Sequence, residues 1–139
     1  MIRPYLNDER GNISMIFSVF LVALLMLIGA AIDYTNLVNQ RQRLADIADR
    51  TALAAALVAR ENHQTRLEKS DEFFAGNRAL EINIKVNNDP TIDFDDSDKE
   101  VTVTVSSPSQ VFFMSMLGYG KDDVTASATV GYAIDYVPP

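Results

Sequence analysis

The stretch Asp93-Phe94-Asp95-Asp96-Ser97-Asp98 is the dense acidic cluster of this chain. Oxygen-bearing side chains at alternate positions are what a calcium loop needs. Asp93, Asp95 and Ser97 match the first three ligand positions of an EF-hand loop. Its sixth position calls for glycine and here holds Asp98; its twelfth calls for a bidentate Glu and here holds Thr104. The EF-hand reading fails on those two residues. A looser calcium site at a hairpin turn stands against a solvated turn that keeps a sheet soluble, and no metal ligand is assigned. His63 is the single histidine and there is no cysteine. Disulfides and thiolate metal sites are thereby excluded, and one imidazole gives no basis for a Ser-His-Asp or metal cluster. The sequence shows no nucleophile beside a base, no phosphate loop and no paired carboxylates in an evident cleft. It therefore predicts no catalytic and no cofactor-binding residue, hence no enzyme and no cofactor.

The charge balance narrows the partners. The formal net charge is −7 over 139 residues. Residues 1–60 carry six basic and five acidic side chains, and residues 61–139 carry six and fourteen. An acidic C-terminal part argues against nucleic acid, since phosphate contacts require a basic surface.

The elements that would position any site begin with a charge-free run. Ile13 to Ile32 is 20 residues with Ser14 and Ser18 as its only polar side chains. A helix of that length spans a hydrocarbon core of roughly 30 Å. The run is too long for a secretory h-region and no small-x-small cleavage site follows it. It predicts a membrane span or the core helix of a filament, kept in the mature protein. Arg3 and Arg10 flank one end and Arg41 and Arg43 the other. A short N-terminal stub beside a larger acidic domain favours the N-terminus inside and the C-terminus outside.

The helical pattern continues past Asp33 without Gly or Pro to about Arg60, giving one helix of roughly 70 Å. Its distal part, with Ala52, Ala55 and Ala59, is narrow and has no charged face, so it predicts a close-packing surface for another helix. Asp33, directly after the apolar run, reads as the residue ending the span, with an ion pair to a neighbouring subunit as its assembly alternative.

These residues resemble a family. Arg10-Gly11-Asn12 opening the apolar run, Gly29 to Tyr34, and Leu44 to Asp49 leading into Ala52–Ala59 are similar to the N-terminal region of TadG-like and TadE-like proteins of the tight-adherence (Flp) pilus system. The end of the chain resembles the family too: Pro108 to Gly118 as a short apolar helix, then Val124 to Ala133. The resemblance implies a bacterial envelope protein working with a pilus-assembly or secretion machine. Three features depart from the pattern. There is no room for the von Willebrand A domain many TadG-like chains carry, and no Asp-x-Ser-x-Ser motif. Gly11-Asn12 resembles a leader boundary, but the fifth residue from Asn12 is Ile16, where processed pilins place Glu. Inefficient cleavage is expected there.

The remainder predicts a helix over Gln64–Glu81 with Leu67, Phe74 and Leu80 inward. Four strands should follow, near Ile82–Val86, Ile92–Phe94, Val101–Val105 and Val124–Tyr136. Between the last two, Ser107 and Gln110 form a potential capping box, with Pro108 opening a helix and Gly118 closing it. The apolar Val111 to Leu117 should pack on the sheet or meet a partner subunit. The expected fold is α+β, pilin-like in plan: a stub at 1–12, a transmembrane helix and alanine-rich stalk at 13–60, and an acidic extracytoplasmic domain at 61–139. The expected function is a non-enzymatic, membrane-anchored pilus or secretion component that assembles with other subunits, as a homo- or hetero-oligomer. A repeating filament subunit and a membrane-tethered periplasmic binding or sensing module are the alternatives.

Overall fold

The structure is a computed structural model and describes residues 10–81, 84–87, 89–120 and 122–133. The order is α1 (Arg10–Val58), α2 (His63–Ala79), β1 (Thr91–Asp95), β2 (Glu100–Pro108), α3 (Phe113–Met116) and β3 (Asp123–Gly131). The protein is therefore α+β, a long apolar N-terminal helix carrying a small helix and an antiparallel sheet.

Helix α1 is continuous over 49 residues. From Ile13 to Ile28 every side chain is exposed. A single stripe is buried beyond that point: Gly29, Asp33, Gln40, Leu44, Ile47, Ala48, Thr51, Ala52, Ala55 and Ala59. Those steps of three, four and seven residues hold one face at 3.6 residues per turn. The cover that the alanine-rich segment needs comes from the chain itself. Strands β2 and β3 and helix α2 all pack on α1, and one core joins Leu44 to Ala59 with Phe74, Val101, Val103, Val105, Ala126, Ala128 and Tyr132. This core draws on residues from both sides of residue 60.

The sheet has three strands in the order β1-β2-β3. β1 pairs β2 from Thr91↔Thr104 to Asp95↔Glu100, and β2 pairs β3 from Glu100↔Gly131 to Pro108↔Asp123. Alternation along β2 puts Val101, Val103, Val105 and Ser107 on the face toward α1. Ala126 and Ala128 on β3 are small, so the helix can approach closely. Of the four expected strands, the first is absent where it is described. Residues 84–87 are irregular, although Ile84 and Val86 pack against the core and the Asn87 N–H donates to the Ser106 carbonyl at 2.8 Å. Ile82 lies outside the described residues. The last strand ends at Gly131, and the expected extension to Tyr136 also leaves the described residues.

Two further expectations are corrected. α2 starts at His63 behind an Asn62 cap, whose side chain accepts from the Thr65 N–H at 2.9 Å. Its inward face is Arg66, Ser70 and Phe74, while Leu80 beyond its end is exposed. The Ser107–Gln110 capping box does not form, because Ser107 and Pro108 are still in β2. Pro108 pairs only toward β3, β1 having ended opposite Glu100–Thr104, so the missing N–H faces no second neighbour. The short helix begins five residues later, at Phe113. Gly118 does close it. With φ +84 it takes the left-handed conformation, its N–H donates to Ser115, and the Tyr119 N–H donates to Met114, which is a Schellman arrangement.

Candidate functional site

The polar groups on the buried face of α1 form the candidate site. Asp33 is fully buried. Its two carboxylate oxygens accept the backbone N–H groups of Phe112 at 3.0 Å and Met114 at 2.6 Å. Helix α3 has no side-chain cap of its own, so Asp33 supplies one from across the fold. The first amides of a helix lack carbonyl partners, and a carboxylate is the strongest acceptor for them.

Seven residues on, and on the same face, Gln40 uses both ends of its amide. Its NH2 donates to Ser107 Oγ at 2.8 Å and to the Pro108 carbonyl at 2.7 Å, and its oxygen accepts the Gln110 N–H at 3.1 Å. Ser107 Oγ in turn donates to the Lys85 carbonyl at 2.8 Å. Gln40 thus holds the chain as it leaves β2, and Asp33 holds it as α3 begins. Buried polar groups satisfied in this way select one pose of the domain on the helix.

Gly29 completes the face. A Cβ there would stand 2.5 Å from Cγ of Phe113, so only glycine lets this ring lie against the helix. Below it, Met116 and Leu117 share an apolar groove of about 450 Å³ with Val22, Leu25 and Met26. Within the Val111 to Leu117 stretch, Phe113 to Leu117 pack on α1 rather than on the sheet.

A second cluster fastens α2 to the acidic turn. The Arg66 guanidinium donates to both oxygens of Asp96, at 2.7 and 3.0 Å, and lies 4.5 Å from the centre of the Phe94 ring. The Tyr132 hydroxyl donates to Asp96 at 2.9 Å. The Arg66 guanidinium, followed by the Tyr132 hydroxyl, holds the Asp96 carboxyl down at about 2. Asp95 accepts the N–H groups of Ser97 and Asp98 at 2.8 and 3.2 Å, and these bonds hold its carboxyl below the usual range. The acidic stretch is a braced turn in which the Asp95 and Asp96 carboxylates are engaged. Among the described residues no group of three or more His, Asp or Glu side chains could hold a metal ion.

Ala52, Ala55 and Ala59 lie in the intramolecular core beside the sheet and α2, and Asp33 lies about five to seven turns N-terminal to them on the same face. Gly11 and Asn12 are in the first turn of α1. Sequence reasoning missed Gln40, Gly29 and Arg66. Gln40 carried a signal, being a polar residue in register with the apolar stripe. Arg66 carried none, because its partner is 30 residues away.

The fold and this face define a protein class: a small α+β domain locked by side-chain clamps to the far half of a long helix whose near half is apolar and uncovered. Residues 11–60, most of them in the N-terminal helix, match the family model described as putative Flp pilus-assembly TadE/G-like. No curated protein and no solved structure matches the chain.

Proposed function

We propose that this protein is a non-enzymatic, membrane-anchored, pilin-like component of a tight-adherence-type pilus or secretion apparatus, working through helix-mediated assembly. One observation carries the reading. The residues matched by the pilus-assembly family are essentially those of α1, and α1 from Ile13 to Ile28 keeps its apolar side chains exposed, with only the α3 loop lying against Val22, Leu25 and Met26 among the described residues. The helix is long and apolar enough to cross a bilayer. In this reading the N-terminus faces inward and the acidic domain stands outside. Ala52, Ala55, Ala59 and Asp33 serve assembly by fixing how the domain sits on the helix. The helix contacts other subunits through its uncovered half, and Gly11-Asn12 is retained.

The test is paired substitution in the native host. Phe20→Arg with Leu24→Arg should abolish recovery in carbonate-washed membranes and remove surface pili. Full membrane retention would refute the anchor, and normal pili without membrane retention would refute the pilus role. Recovery of the native chain along sheared filaments would make it the repeating subunit, and an intact mass beginning at Asn12 would refute retention of the leader.

A further inference from the structure

We propose that the α3 loop, Phe112 to Tyr119, is a second membrane-inserted element, lying in lipid beside α1 on the side of the bilayer that faces the domain. The inference rests on the anchor reading above and adds the lipid bilayer as the ligand of this loop.

Position is the first argument. Asp33 marks the end of the charge-free run and grips the start of α3. From there the loop runs back along α1 toward its N-terminus. Phe113 lies against Gly29, four residues or about 6 Å below Asp33. Met116 and Leu117 share their groove with Leu25 and Met26, seven to eight residues or about 11 Å below it. A bilayer whose edge lies near Asp33 would hold these side chains inside its hydrocarbon.

The second argument is what the loop exposes. Phe112 is 69% exposed, Met116 76%, Leu117 59% and Tyr119 65%. Between Val111 and Gly120 there is no charged residue. A patch of this kind is costly in water and is continuous with the uncovered face of α1.

The third argument is the backbone. Hydrocarbon accepts only chain whose polar groups are satisfied internally. The Phe112 and Met114 N–H groups go to Asp33. Those of Leu117, Gly118 and Tyr119 go to Met114 and Ser115 carbonyls. The Ser115 hydroxyl donates to the Phe112 carbonyl at 2.6 Å, and the Ser109 hydroxyl donates to the Gly120 carbonyl. The loop turns its hydrogen bonds inward and its apolar side chains outward. That division is compatible with lipid.

The test uses the full chain, whose lack of cysteine permits single labels. Met116→Cys, Leu117→Cys, Leu27→Cys on α1 and Glu72→Cys on α2 are each labelled with an environment-sensitive fluorophore. Each is reconstituted into phosphatidylcholine–phosphatidylglycerol vesicles containing acyl-chain-brominated lipid. The expected result is comparable quenching at positions 116, 117 and 27, and none at 72. Quenching at 27 without quenching at 116 and 117 overturns the inserted loop while leaving the anchor intact. No quenching at 27 overturns the anchor reading and the loop with it. Unquenched, blue-shifted emission at 116 that grows with protein-to-lipid ratio means a second copy covers the face, and also overturns the proposal.

Discussion

The carboxylate of Asp33 and the backbone N–H of Met114 meet at 2.6 Å across 81 residues of sequence. This contact ties the end of the apolar run to the start of the last helix. Asp33→Ala should release α3 while the sheet persists. Hydrogen exchange on the reconstituted chain should quicken at the Phe112 and Met114 amides and stay slow at Val101 to Val105. Asp33→Asn, which keeps one acceptor oxygen, should lie between. Unchanged exchange at Met114 in the alanine variant would show that the cap is not what orders the loop.

The contact of Gly29 with Phe113 predicts a coupled pair. Gly29→Ala puts a methyl group where the ring now lies, so it should loosen α3 as Asp33→Ala does. Phe113→Ala vacates that space. The double variant should therefore lose less order in α3 than the sum of the two single effects. Strict additivity, read by the same exchange measurement, would mean that the two residues do not press on each other.

Ala55 is fully buried among the sheet and α2. Ala55→Leu should overpack this core and lower domain stability by about 1–3 kcal/mol in urea denaturation. Leu57→Ala on the exposed face of the same helix should stay within about 0.5 kcal/mol. Equal effects would show that the two faces of α1 are packed alike.

The pair of Arg66 and Asp96 predicts an acid limb. The Asp96 carboxyl is held at about 2 in the folded chain, chiefly by the Arg66 guanidinium. A carboxyl depressed by folding contributes stability that is complete above its unfolded value, and that contribution is lost as pH falls through the folded one. The urea midpoint should therefore fall between about pH 4 and pH 2, and Asp96→Asn should flatten that part of the curve and lower the plateau above it. A wild-type slope unchanged in the variant would assign the acid limb to other carboxylates.

The same turn predicts indifference to calcium. Asp95 is engaged by the Ser97 and Asp98 amides, and Asp96 by Arg66 and Tyr132. Millimolar calcium should leave the melting temperature where it is. A saturable rise abolished by Asp95→Asn would show a cation site in the turn.

Much of this architecture is legible in the chain as written. Ile13 to Ile32 is long and charge-free, and length and hydropathy need no partner to be read. The alternation at Val101, Val103 and Val105 marks a half-buried strand because its period is local. Gly118 signals a helix end through its own backbone freedom. Among the residues that carried the family resemblance, Gly29, Asp33, Ala52, Ala55 and Ala59 lie on the face that the structure buries. Local chemistry misled at Ser107 and Gln110. Their spacing suits a capping box, but the ladder of β2 with β3 holds Ser107 extended and Gln40 takes the Gln110 amide. The inward residues of α2 were half legible: Phe74 by hydrophobicity, Arg66 not at all, because a buried charge is bearable only beside a counter-charge that the fold supplies.

By itself, then, the sequence determined the long helix, its uncovered apolar half, the antiparallel character of the domain and the acidic surface, because each follows from periodicity or composition within a few turns of chain. The tertiary structure alone decided what covers the alanines, which carboxylate caps α3 and where the apolar Phe112–Leu117 segment goes. Those outcomes depend on pairings such as Asp33 with Met114, Gln40 with Ser107 and Arg66 with Asp96, separated by 81, 67 and 30 residues. Hydrogen bonds of that kind have no sequence period, and they exist only once packing has brought their donors and acceptors within about 3 Å of each other.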